Sequence, residues 1–256
     1  MSKTNKELSI IIPTFNEEKY LPRLLKSIKA QDFKDYEIIV ADANSKDKTR
    51  EIARKYGCKV VQGGLPSKGR NNGARHASGE YFLFLDSDVA LPPGFLRENL
   101  EDFKSKRLAC AGVWAMPLSK KPSDRFIFLS GSFFQNALKK LKPFGIGWCI
   151  FITRKAFKKI KGFDESILVG EDIDLTTRAS KHGRFDVLKK KRVYVSVRRL
   201  EKEGRLNYSS KRVKTFFYDL TGKKMTVKDK EVEYDFGGYD KVKRRKRAKN
   251  LFKKSF

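Results

Sequence analysis

The stretch YFLFLDSDVALPPG, residues 81–94, carries an apolar strand signal from Tyr81 to Leu85 straight into two carboxylates, Asp86 and Asp88, with only Ser87 between them. In extended chain, residues i and i+2 face the same way, so the two acids are set to converge on one ion or one ligand. Magnesium and manganese ions take oxygen ligands, commonly one or two carboxylates, and keep positions open for substrate phosphates. An isolated D-x-D has a plainer use, capping the next helix or shaping the turn before Pro92-Pro93, and motifs this short often match by chance. What surrounds the pair therefore decides its meaning.

Upstream, LSIIIP (8–13) is a short apolar run ended by Pro13, followed by Leu21, Leu24, Leu25 and Ile28 at helical spacing. Pro22 fits in that helix's first turn. YEIIVA (36–41) is the second strand, and Asp47 is placed to cap a helix carrying Ile52, Ala53 and Tyr56, with Gly57 to stop it. KVV (59–61) is a third strand, and a glycine-bearing segment, 69–79, leads to Tyr81–Leu85. Strands alternating with helices predict a mainly parallel sheet with helices on both faces. Ligands bind such sheets beyond the carboxyl ends of the strands, where Pro13, Asp42 and Asp86 all fall.

The second half is less regular. Residues 124–145 form an amphipathic, aromatic-rich stretch, GWCIFITRKAFKKI (147–160) reads as a strand then a helix, and EDIDLTTRASKHG (171–183) reads as a helix. From residue 184 onward basic residues dominate. The last sixteen, 241–256, hold nine Lys or Arg and no acid, the composition of a solvated tail.

The chain has 256 residues, 39% of them hydrophobic, which suits one globular domain. A formal net charge of +28 predicts attraction to something polyanionic. Cys58, Cys110 and Cys149 share no C-x-x-C spacing and are odd in number, as reduced thiols would be. His76 and His182 have no partner at ligand spacing, so zinc is not expected. No run approaches the ~18 apolar residues of a membrane span, and the start MSKTNKELSI lacks the apolar core of a signal peptide. The expectation is a cytoplasmic protein, with the basic tail and the aromatic stretches 126–144 and 212–220 giving peripheral contact at the anionic inner face of the cell membrane.

Five segments in order resemble the family 2 glycosyltransferases, over about residues 8–200: IIPTFNEEKYL (11–21), VADANSKDKT (40–49), GRNNGARHASGEYFLFLDSDV (69–89), KGFDES (161–166) and GEDIDLTTRASKHG (170–183). Two depart from the family pattern: Ala41 stands for the first of two paired aspartates, and KGFDES replaces the usual GGFDE. The resemblance implies a GT-A fold, an α/β architecture with a single Rossmann-like mixed sheet flanked by helices. The implied domain covers 1–222, with a nucleotide-binding half over about 1–110 and an acceptor half over about 111–222, before a basic extension, 223–256.

By position, the resemblance places Pro13, Thr14, Phe15, Glu17, Asp42, Lys68, Arg70, Asn71, Asp86 and Ser87 at the nucleotide, with Asp42 bonding the base. It makes Asp88 the main metal ligand, with Asp86 beside it, for Mn2+ or Mg2+, and Asp172 the catalytic base, with Glu171 next to it. Gly147 and Trp148 fall on the acceptor side. The implied reaction is inverting transfer from a nucleotide-diphosphate sugar, UDP- before GDP-, to an acceptor hydroxyl or a lipid-linked phosphate, the acceptor being a sugar or a lipid-linked molecule. A carboxylate that takes a proton in such a step is worth about 10²–10⁴ in rate, and the metal offsets charge on the departing diphosphate.

Two readings compete. A basic protein that binds nucleic acid or an anionic surface without catalysis explains the tail, but not acids at strand ends, which repel phosphates unless a cation intervenes. No recognisable nucleic-acid-binding signature is present, so nucleic acid is not an expected partner. A nucleotidyltransferase also uses metal and acids, but would carry a glycine-rich basic loop after the first strand, where PTFNEEKYL is acidic and lacks glycine.

Overall fold

The computed structural model describes residues 6–139, 143–145, 147–220 and 225–226. In chain order its elements are β1 (Leu8–Thr14), α1 (Leu21–Lys29), β2 (Tyr36–Asp42), α2 (Thr49–Lys55), β3 (Lys59–Gln62), α3 (Pro66–Arg75), β4 (Tyr81–Leu85) and β5 (Val89–Ala90). Then come α4 (Phe95–Ser105), β6 (Leu108–Pro117), α5 (Pro122–Leu138), β7 (Cys149–Thr153), α6 (Arg154–Lys159), β8 (Ile167–Val169), α7 (Glu171–Ser180), β9 (Arg184–Val195), α8 (Arg198–Glu203), α9 (Arg205–Leu220) and β10 (Met225–Thr226). Eight strands make one mixed sheet in the order β3-β2-β1-β4-β7-β6-β9-β5, with β8 and β10 paired apart from it. The expected α/β architecture is the observed one. Of the expected tail, 223–256, all but Met225 and Thr226 lies outside the described residues.

Every residue of β1 is buried, as its unbroken LSIIIPT requires of a strand covered on both faces. Alternate side chains feed two cores. Leu8, Ile10 and Ile12 pack with Leu24, Leu25, Leu83, Leu85, Phe95 and Phe103 on one face. Ile11 and Ile39 join Phe82, Phe84, Ile150, Ile152 and Phe157 on the other. Phe82, Phe84, Phe157 and Phe163 meet there largely edge to face, with centroids 5.1–6.3 Å apart, the preferred aromatic geometry. Cys58, Cys110 and Cys149 are free and buried. Burial pushes the Cys58 thiol up to about 11 and that of Cys110 up to about 12, which removes both as nucleophiles at neutral pH.

Three local outcomes differ from the sequence reading. Lys48, not Asp47, occupies the N-cap of α2, while the Asp47 carboxylate accepts the Thr49 N–H at 3.0 Å. The glycine-bearing segment is a helix, α3, because its glycines let it lie against the sheet. A Cβ on Gly73 would stand 2.5 Å from Ile11 Cγ2, so close packing outweighs poor helix propensity. The basic region after residue 184 contains β9, parallel to β6, with an irregular register between Val113 and Ala115. Lys189 and Arg192 of that irregular stretch lie 5.3 and 5.5 Å from the Trp114 ring centroid, so cations that read as solvated cover an aromatic face.

Among the described residues, no helix is long and apolar enough to cross a membrane.

Candidate active site

The topology opens a crevice beside β1. The chain runs from β1 to β2 to β3 on one side and places β4 on the other, which makes the β1–β4 boundary the switch point where α/β sheets bind ligands. Pairing of β1 with β2 continues to Thr14–Asp42, while pairing with β4 ends at Ile11–Phe84. Beyond that register the two strands part, and Pro13 sits where β1 has only one ladder neighbour. Segments 13–17 and 86–88 therefore border the same opening.

Two arginines organise the acids there. Arg70 of α3 is 3% exposed; its Nη2 lies 2.8 Å from Asp86 Oδ1 and its Nη1 2.9 Å from Glu171 Oε1. Its guanidinium stands 5.4 Å from the Phe163 ring centroid. Burial alone would disfavour that cation, but Asp86 and Glu171 outweigh it and hold Arg70 protonated. Arg198, the first residue of α8, grips Glu17 through two bonds of 2.9 Å, the fork geometry that suits guanidinium to carboxylate. Its Nε lies 2.7 Å from Asp88 Oδ2, and its plane sits 4.4 Å from the Tyr20 ring centroid. Burial raises the Glu17 and Asp88 carboxyls above their ordinary range, against the pull of Arg198.

Asp172 comes to the same region from α7. Gly170 begins that helix at φ +85°, a conformation that favours glycine, and Glu171 and Asp172 fill its first turn. The Gly147 N–H donates to Asp172 Oδ2, and the Ile173 N–H donates to Oδ1 at 3.0 Å. A Cβ on Gly147 would lie 3.3 Å from both Asp172 Oδ2 and Arg70 Nη2, so the glycine allows loop, base candidate and arginine to meet.

The remaining expected residues divide between the pocket and its supports. Asp42 accepts from Thr14 Oγ1 (3.0 Å), the Ser45 N–H (2.9 Å) and Ser45 Oγ (2.5 Å). Three of its roughly four acceptor sites are thus committed to the strand-end turn. Pro13 packs toward Gly69, where an added Cβ would approach its ring at 3.3 Å. Ser87 is buried and its hydroxyl bonds Glu17, Phe15 is half-buried, and Lys68 is exposed. The Asn71 amide donates to Phe163 O and Glu165 Oε1 and accepts from the Phe163 N–H, each at 2.9 Å, and so fastens the 163–165 loop. Asp174 pairs with Arg178 one turn on. Trp148 stacks on Phe128, with centroids 5.5 Å apart, and is half-buried beside Gly147.

Arg198 is the site residue that sequence reasoning missed. It lies in VRRLEKEGR, which reads as a solvated basic run. The available signal is indirect: two acids expected at a buried strand edge, Glu17 and Asp88, need a cation.

Asp86 and Asp88 fit a divalent cation by ligand chemistry. Both are hard oxygen donors at one strand end, and the edge gathers five carboxylates (Glu17, Asp86, Asp88, Glu171, Asp172) around two guanidiniums. Among the described residues no group of three or more His, Cys, Asp or Glu makes a ready metal cage. This set suits an ion whose coordination is completed by a phosphate-bearing ligand.

Comparisons with known proteins converge on one family. The model of Glycosyl transferase family 2 matches residues 9–161. A GalNAc(5)-diNAcBac-PP-undecaprenol beta-1,3-glucosyltransferase of Campylobacter jejuni is 42% identical over 99 residues, 35% of this chain and 32% of that protein. An uncharacterized glycosyltransferase of Rickettsia typhi is 32% identical over 206 residues, 73% of this chain and 64% of the other. Staphylococcus aureus TarS 1–349, solved in complex with UDP-GlcNAc, superposes with a TM-score of 0.60 at 26% identity, over 74% of this chain and 58% of that one. The mannosyltransferase PcManGT of Pyrobaculum calidifontis, solved with GDP-Man and Mn2+, shares the fold at 19% identity with a TM-score of 0.63, over 83% of this chain and 65% of that one. The chain thus spans under two thirds of the length of each of these relatives.

Proposed function

The chain belongs to glycosyl transferase family 2, and we propose that it moves a sugar from a nucleotide-diphosphate donor to an acceptor hydroxyl with inversion, Asp172 acting as general base. The observation that carries this reading is the meeting of two acid sets at one opening: Asp86 and Asp88 at the end of β4, and Glu171 and Asp172 at the start of α7, joined through Arg70. A donor diphosphate between them needs cations on one side and a base on the other. A UDP-sugar is favoured over a GDP-sugar, since the TarS structure holding UDP-GlcNAc is the more similar in sequence of the two donor complexes.

In this mechanism Thr14, Phe15 and Asp42 form the floor of the nucleotide pocket, with the Asp42 carboxylate held by Thr14 and Ser45 and faced by Arg50 Nε at 3.6 Å. Asp88, with Asp86, would hold Mn2+ or Mg2+, which when bound supplies Lewis-acid neutralisation of the diphosphate. Arg70 fixes Asp86 and Glu171 in place. The acceptor oxygen attacks the anomeric carbon from the face opposite the diphosphate. The carbon–phosphate oxygen bond breaks, its electron pair leaves with the nucleoside diphosphate, and the new glycosidic bond forms. The hydroxyl proton passes to the Asp172 carboxylate and then to solvent. The Gly147 N–H holds that carboxylate in position, and Trp148 offers an aromatic edge on the acceptor side.

A thermal-shift panel of UDP- and GDP-sugars with and without Mn2+ tests the donor class. A UDP-sugar with Mn2+ is expected to raise the melting midpoint, because a ligand that binds only the folded state stabilises it by mass action, about 2.7 kcal/mol at a hundredfold excess over Kd. Midpoints that no nucleotide sugar moves would refute the donor assignment.

A further inference from the structure

Helix α5 presents its apolar side to solvent. Phe126, Leu129 and Phe133 recur at i, i+3 and i+7, one stripe of a helix, and Phe126 and Phe133 are 73% and 67% exposed. The opposite face is locked. Asp124 pairs with Arg205 of α9 at 2.6 Å and accepts from Ser119 Oγ at 2.7 Å. Ser132 Oγ accepts from the Ala115 N–H at 3.2 Å, Gln135 Nε2 donates to Phe144 O at 2.8 Å, and Phe128 stacks on Trp148. Rolling the helix to bury its phenylalanines would break each of these contacts, so the stripe is fixed outward. Phe134, beside it, is half exposed and packs toward Phe144.

We propose that this face of α5 docks on an anionic lipid bilayer and so presents the Gly147–Asp172 side of the site to an acceptor carried in that surface. The acceptor class rests on the glycosyltransferase reading; the docking does not. Charge complementarity selects the occupant. Lys120, Lys121 and Arg125 are exposed around the N-terminal end of the stripe, on a chain of net charge +28. Aromatic side chains beside cations are the composition of a segment lying in a lipid interface. A second copy of the chain would set this basic rim against its own like charge, whereas anionic headgroups complement it. The inward face of the same helix touches Phe144 and Trp148 through Gln135 and Phe128, which links the docked face to the acceptor side.

The test uses the full chain with Phe133→Trp and vesicles of phosphatidylglycerol mixed with dibrominated phosphatidylcholine. Bromine quenching of tryptophan emission beyond that of the parent, which contains Trp114 and Trp148, is expected, and pure phosphatidylcholine vesicles should bind far less. The double variant Phe126→Ser/Phe133→Ser, with its melting midpoint checked against the parent, should lose about tenfold in vesicle partitioning. No added quenching, undiminished partitioning of the double variant, or an emission shift without vesicles that grows with protein concentration (a second copy on the stripe) would overturn the proposal. Transfer to a water-soluble acceptor, assayed on the same preparations, separates the two readings. Quenching without transfer retains the docking face and discards the catalytic reading; transfer without quenching does the reverse.

Discussion

Asp172→Asn is expected to lower the transfer rate by about 10²–10⁴, the range for loss of a positioned general base, with donor affinity nearly unchanged. Asparagine keeps one oxygen for the Gly147 N–H and gives up the weaker local bond from the Ile173 N–H, so the contact between Gly147 and residue 172 should persist. What it removes is the capacity to take a proton. Steady-state kinetics with a hydroxyl acceptor, beside calorimetric donor binding, separates the two effects: kcat falls while donor Kd stays. A variant with near-parental kcat would remove Asp172 from the base role. Glu171→Gln is a useful contrast, because Glu171 is bonded by Arg70 and its loss should disturb the Arg70–Asp86 arrangement as well as the rate.

Arg198→Ala should destabilise the fold strongly, by about 3–5 kcal/mol, the cost of stripping one partner from a buried ion pair. It would leave both Glu17 and Asp88 buried without the guanidinium that now serves them. The pH dependence gives a second readout. Both carboxyls already lie above their ordinary range in the folded state, burial being the main cause, and removing Arg198 raises them further. A carboxyl raised on folding favours the folded state below its unfolded pKa of about 4, and that advantage is lost as pH rises through the folded value. The deficit of the variant relative to the parent should therefore be largest at neutral pH and shrink toward pH 4. Chemical denaturation across that range measures it. A deficit under about 1 kcal/mol with no pH trend would mean that water serves the two acids well enough without the arginine.

The central strands and the paired aspartates were legible in the sequence because they depend on local pattern. The largely apolar β1 and the YFLFL run before Asp86 carry their burial in their composition, and Leu21, Leu24, Leu25 and Ile28 carry the helical period of α1. What the sequence hid depends on contact between distant segments. PSKGRNNGAR has no apolar period, and its helix exists because Gly73 can approach Ile11 closely. The β9 strand is obscured by cations, two of which lie over Trp114. Arg198 and Glu17 are 181 residues apart, and nothing in VRRLEKEGR singles out the arginine that closes on two acids. The bonds of the Asn71 amide to Phe163 and Glu165 are likewise a partner choice made by the fold.

The roles given to these residues depend most on a divalent cation held at Asp88 together with the donor diphosphate. Electron paramagnetic resonance of Mn2+ titrated into the full chain, with and without UDP, measures that directly in the parent and in Asp88→Ala. The expected result is a bound-Mn2+ signal that strengthens with UDP in the parent and is lost in Asp88→Ala. Equal Mn2+ binding in both proteins, or UDP binding indifferent to Mn2+, would contradict it.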